Sequence, residues 1–127
     1  MRKWALGLAA LAASAGPAMA QPGPVTTGPL AELCASLDPA ASAYCRGFLT
    51  GAGQYHVAVT APGALEPIFC LPTPSPSLDQ SQSAFAAWAR ANPQFANERA
   101  IDGVMRWAAS AYPCPPSAPA TNRRTGR

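Results

Sequence analysis

The chain has 127 residues, 49% of them hydrophobic, with a formal charge of +3 and four cysteines; it can form one small domain whose core needs reinforcement. The positive charge excludes little by itself but does not describe a nucleic-acid surface. Of the nine basic residues, Arg2 and Lys3 open the chain and Arg123, Arg124 and Arg127 close it, so the body sets Arg46, Arg90, Arg99 and Arg106 against all six acids and carries no basic stripe.

Residues 1–20 read as a secretion signal. Arg2 and Lys3 form its positive region, Trp4 to Ala15 an apolar run too short to span a bilayer, and Gly16-Pro17 break that run ahead of the small-x-small site Ala18-Met19-Ala20. Cleavage after Ala20 starts the mature chain at Gln21 in an oxidising compartment, the periplasm in a Gram-negative host. No cysteine follows the cleavage site, so no lipid anchor is expected, and no later run is long and apolar enough for a membrane span.

Residues 21–29 read as a flexible Pro/Gly/Thr lead and 115–127 as a disordered Pro/Ser/Ala tail with a basic end. The domain is expected over 30–114. Gly28-Pro29 offers a helix start, followed by Leu30, Leu33, Cys34 and Leu37 at helical spacing. Asp38-Pro39 repeats the signal, and Tyr44, Cys45, Phe48, Ala52, Tyr55 and Val59 mark one face of a long second helix that Ala61-Pro62-Gly63 stops. Pro62, Pro67, Pro72, Pro74 and Pro76 then make a structured loop. Ser77-Leu78-Asp79-Gln80 matches a capping box for a third helix with Leu78, Phe85, Trp88 and Ala89 on its apolar side, ended by Asn92-Pro93. A fourth helix, capped by Asn97, carries Ile101, Val104, Met105, Ala108 and Tyr112 up to Pro113. The β-branched run His56 to Thr60 has no partner strand.

These elements make an all-α, four-helix, up-and-down bundle. Four cysteines without a C-x-x-C spacing read as two disulfides, with three possible connectivities. Cys34 and Cys45 flank the Asp38-Pro39 turn, while Cys70, before helix three, and Cys114, after helix four, share one end of an antiparallel pair. Cys34 with Cys45 and Cys70 with Cys114 is therefore the preferred pairing.

Little here supports catalysis. His56 is the single histidine, so no two-histidine metal site exists, and the cysteine spacing is unlike a zinc site. Ser42, His56 and Asp102 could be assembled on paper as a triad, but no G-x-S-x-G elbow surrounds any serine. Glu98 and Asp102 are explained as first-turn residues of helix four rather than as a glycosidase pair. No enzyme activity and no cofactor are expected. The G-x-x-x-G of Gly47 and Gly51 is expected to allow close packing inside the domain, and Trp88 and Trp107 to be core residues.

In order along the chain stand Cys34, Cys45-Arg46-Gly47-Phe48-Leu49-Thr50-Gly51, Phe69-Cys70-Leu71-Pro72, Gln80, Trp88-Ala89-Arg90-Ala91-Asn92-Pro93 and Tyr112-Pro113-Cys114. This order resembles the Tai / resistance-associated (Rap-type) immunity family of type VI secretion. The resemblance covers residues 30–114. It implies an all-helical, disulfide-stabilised periplasmic protein, often a homodimer, that binds and blocks a secreted peptidoglycan amidase of the cysteine-peptidase type and has no catalysis of its own. A non-immunity periplasmic binding or stress-protection protein on the same scaffold is the alternative. The family's binding mode would fall on helix three and its flanks. There Asp79, Gln82 and Arg90 are expected to face outward with Asn92 and Gln94, with Arg90 contributing most to binding.

Overall fold

The computed structural model describes residues 23–116, so the expected signal, its cleavage after Ala20 and the tail beyond Pro116 lie outside the described residues. Four α-helices follow one another: α1 (Thr27–Ala35), α2 (Pro39–Val59), α3 (Leu78–Ala91) and, after a 3-10 turn at Pro93–Phe95, α4 (Ala100–Ala111). The described residues form no strand. The fold is the expected all-α bundle.

Two helices start from local side-chain chemistry. Asp38 Oδ1 accepts from the Ala41 N–H at 2.8 Å, with Pro39 in the first turn of α2. At α3 the capping box is complete: Ser77 Oγ accepts from Gln80 N–H at 3.2 Å, and Gln80 Oε1 accepts from Ser77 N–H at 2.8 Å. Asn92 closes the same helix ahead of Pro93, its Nδ2 donating to the Trp88 carbonyl at 2.8 Å.

The other two helices cap each other through the backbone. α1 begins at Thr27, ahead of the expected Gly28-Pro29 start, and α4 begins after Arg99 rather than at a cap on Asn97; neither has a side-chain cap. The N–H groups of Thr27 and Gly28 donate to the carbonyls of Glu98 and Ala96, and that of Ala100 donates to the Val25 carbonyl, each at 2.9 Å. Thr26 and Arg99 form an antiparallel bridge there. The unpaired amides of two first turns are thus satisfied from the far end of the chain, and Val25 to Gly28, expected in a flexible lead, are bound into the fold.

α1 is the shortest helix yet packs against α2, α3 and α4, most extensively against α3. Its row Thr27, Leu30, Ala31 and Cys34 is buried against Phe85, Ala86 and Ala89 of α3 and Val104, Trp107 and Ala108 of α4 in one core. Phe85 meets Trp107 edge-on at 5.6 Å, and Trp88, half-buried, stacks on Phe95 at 5.8 Å. Arg106 lies over the Phe95 ring at 4.7 Å and pairs with Glu98.

The apolar faces differ from expectation in places. Leu37 is 100% exposed, because α1 stops at Ala35 and the next turn of the pattern is not helical. The buried row of α2 is Cys45, Leu49, Ala52 and His56, so Tyr44 and Tyr55, one position round, face solvent. Leu78 sits at the first position of α3 and is exposed as well. Gly47 and Gly51 meet nothing where a Cβ would lie, so their G-x-x-x-G does not serve packing inside the domain. Gly103 is the glycine that does: a Cβ there would fall within 2.8 Å of Thr27 Cβ and closer still to its Oγ1 and Cγ2.

Both disulfides pair as preferred. Cys34–Cys45 ties α1 to α2 inside the core, with Cα atoms 5.1 Å apart. Cys70–Cys114 ties the Pro-rich loop to the end of α4, with Cα atoms 4.8 Å apart, and Cys70 N–H donates to the Tyr112 carbonyl at 2.8 Å.

Candidate functional site

The residues from which catalysis could have been assembled each hold a structural partner. Ser42 Oγ accepts from Gln82 Nε2 at 3.1 Å, and Asp102 receives two hydrogen bonds from Arg99 at 2.7 and 3.0 Å. Those bonds hold the Asp102 carboxyl below its usual range. Glu98 is occupied by Arg106. His56, 6% exposed, stacks on Phe69 at 3.9 Å, and its Nε2 accepts from the Ile68 N–H at 3.0 Å. The three residues of the paper triad therefore do not bond to one another, and among the described residues no cluster of three or more metal-ligating side chains forms.

The outward strip expected on α3 is broken. Gln82 is only 8% exposed: its Nε2 donates to the Cys34 carbonyl at 2.9 Å as well as to Ser42, and its Oε1 is buried without a partner. Its amide joins α3 to α1 and α2, so it cannot present itself to a partner protein. Gln82→Ala should lower stability by about 1–3 kcal/mol through the orphaned Cys34 carbonyl, as read from urea unfolding; a change below the error of the midpoint would show that carbonyl to be well solvated. Asp79 is exposed but ion-paired with Arg46 of α2. Asn92 caps α3, and Gln94 Nε2 donates weakly to Asn92 Oδ1 at 3.4 Å. Arg90 remains exposed with no ion pair among the described residues, beside the fully exposed Leu37 in a shallow depression with Ser83 and Ala87.

A different surface stands out by its apolarity. Between the C-terminal half of α2 and the Pro-rich loop runs an open groove of about 750 Å³, floored by Leu49, His56 and Phe69 and edged by Val57, Pro62, Pro67 and Leu71. Of its lining residues Val57 is 68% and Leu71 48% exposed, and Leu65 and Ile68, exposed as well, lie on the same loop with their N–H groups bonded to the Val59 carbonyl and His56. No charged side chain lines it. Contiguous exposed apolar surface of this kind marks a protein contact rather than a solvated face. The loop wall of the groove, from Pro62 and Pro67 to Phe69 and Leu71, comes from a proline-rich segment without regular structure, so no hydrophobic period marked it in the sequence.

The fold and surface define a small all-α, two-disulfide domain whose exposed chemistry suits binding. No described helix is long and apolar enough to cross a membrane. Residues 26–114 match the family of Rap1a immunity proteins, and the chain belongs to that family. The matched span runs from the Thr26 bridge that starts the fold to the Cys114 disulfide that ends it. No curated protein and no solved structure matches the chain. It is an immunity protein, a class that acts against a secreted effector.

Proposed function

We propose that this immunity protein is exported through residues 1–20, cleaved after Ala20, and works in the periplasm by binding and blocking a peptidoglycan amidase of the cysteine-peptidase type. Sibling cells deliver that effector by type VI secretion, and the protein adds no catalysis of its own. The family membership supports the class, and the motif order from Cys34 to Cys114 supports the amidase. The observation that carries the mode of action is the uncharged, largely apolar groove edged by the exposed Val57 and Leu71, a surface suited to covering an enzyme cleft.

Arg90 with Asn92 and Gln94 is the second candidate surface, favoured because Arg90 is exposed and unpaired among the described residues next to Leu37. Calorimetry against the proposed cognate amidase separates the two. Val57→Ser with Leu71→Ser should weaken binding by about 2 kcal/mol or more at a nearly unchanged melting temperature, since both side chains line the groove and already face water. A larger loss from Arg90→Ala than from the double variant would move the contact to α3. Failure of the intact protein to inhibit peptidoglycan hydrolysis would remove the amidase as the target. For a homodimer, the open α2 face of Gly47, Gly51 and Tyr55 beside Ile101 is the available surface; sedimentation velocity distinguishes one copy from two.

A further inference from the structure

The loop wall of the groove is held to α2 by few bonds. Between Ala61 and Phe69 the backbone ties to the helix are Leu65 N–H to the Val59 carbonyl at 3.0 Å and Ile68 N–H to His56 Nε2 at 3.0 Å. On the C-terminal side the loop is fixed independently, by Cys70–Cys114 and by the bond from Cys70 N–H to Tyr112. Ile68 N–H therefore depends on the imidazole for its partner. To accept that proton, Nε2 must carry a lone pair, which places the ring's own N–H on Nδ1.

We infer that His56 is a proton-sensitive latch: its neutral ring holds the 61–69 wall of the apolar groove closed, and protonation at Nε2 releases that wall while Cys70 stays anchored. A proton added to Nε2 would face the Ile68 N–H, donor against donor, and the bond is lost. The imidazolium would also sit in a cleft lined by Leu49, Phe69, Pro67 and Leu71 with no charged side chain. Glu66 is the one carboxylate of the 61–69 segment, and Tyr112 lines a neighbouring pocket together with Phe69; neither makes an ion pair or hydrogen bond with His56. Burial accordingly pushes the His56 value below 6.5. A histidine lowered on folding contributes stability that is complete above 6.5 and is lost as pH falls through its folded value, so the latch opens on the acid side. An exported protein meets that range directly. The consequence for inhibition rests on the groove being the effector's contact surface; the latch itself does not.

The test uses the protein alone. Hydrogen exchange followed by NMR, corrected for intrinsic rates, should show the protection of the Ile68 amide falling about tenfold or more between pH 7.5 and pH 5 relative to that of Leu49 in the core of α2. The His56 ring resonances should titrate with the same midpoint, below 6.5. His56→Gln, which keeps an acceptor but does not titrate, should abolish the pH dependence; if that variant does not fold, the coincidence of the two wild-type midpoints decides. Ile68 protection that is flat with pH, or that changes with a midpoint unlike that of His56, overturns the latch. Loss of effector binding at pH 5 in the wild type but not in His56→Gln places the latch at the contact surface. Equal binding by both overturns its role in inhibition while the proton-linked release of the loop stands.

Discussion

Gly103→Ala is expected to destabilise the domain by about 2–4 kcal/mol, although alanine is the better helix former by about 1 kcal/mol. The new methyl group would meet Thr27 from Cβ to Oγ1 and Cγ2. Thr27 cannot step aside: it is fully buried and β-branched, and its single hydroxyl proton is shared between the carbonyls of Glu98 and Arg99, each 3.2 Å from Oγ1. Relief would have to come from separating α1 from α4, which breaks the mutual backbone caps at Val25, Ala96 and Glu98. Thr27→Ala should be destabilising alone and, because its Cβ still lies within 2.8 Å of the new methyl, should recover only part of the loss when combined with Gly103→Ala, a coupling that urea unfolding of the four proteins measures. Strict additivity would show that the two residues do not share the contact.

What could be read from the chain in advance was the structure specified by neighbours in sequence. Asp38-Pro39 and the Ser77/Gln80 box are local devices in which a side chain satisfies an amide of its own helix, and Asn92-Pro93 stops α3 through the proline ring; each acts where it is expected, with the bond from Asn92 to the Trp88 carbonyl as an addition. The starts of α1 and α4 were misplaced for the converse reason. Their amides are satisfied by backbone carbonyls from the other end of the domain, and a carbonyl leaves no trace in residue type. The disulfide pairing was legible because it followed from which helix ends are neighbours, and that depends on element order more than on exact boundaries.

The binding surface was less legible than the fold. Gln82 lay among polar neighbours on the sequence, but a glutamine can span from one helix to a carbonyl on another, and the bonds to Cys34 and Ser42 place it inside. Phase errors of a single position turned Tyr44 and Tyr55 outward and His56 inward on α2. Burying His56 then created the partner for Ile68 and with it one wall of the apolar groove. A groove assembled from a helix and a loop without period becomes visible only once Phe69 and Cys70 are seen docked on α2 and α4.

Removing the Cys70–Cys114 bond should be the costliest change to the fold outside its core, and it should also disable the groove. The two cysteines are 44 residues apart, against 11 for Cys34 and Cys45, so by chain entropy their bridge is worth about 4 kcal/mol and the shorter one about 3. A domain of this size has only about 5–15 kcal/mol in total. Cys70→Ala with Cys114→Ala is therefore expected to leave a marginal protein at 37 °C. At 15 °C the helices should persist, yet the loop carrying Ile68 and Phe69 would lose its covalent anchor at the end of α4, and binding per folded molecule should fall. Cys34→Ala with Cys45→Ala separates the two effects. It removes about 3 kcal/mol of unfolded-state restraint and leaves a small core void worth about 1 kcal/mol more, a loss similar in size, while the loop stays pinned at Cys70. Urea unfolding and calorimetric binding to the amidase at 15 °C would then show comparable stability losses but a binding loss confined to the Cys70–Cys114 variant. Equal binding by both variants would mean that the loop wall is not part of the contact surface.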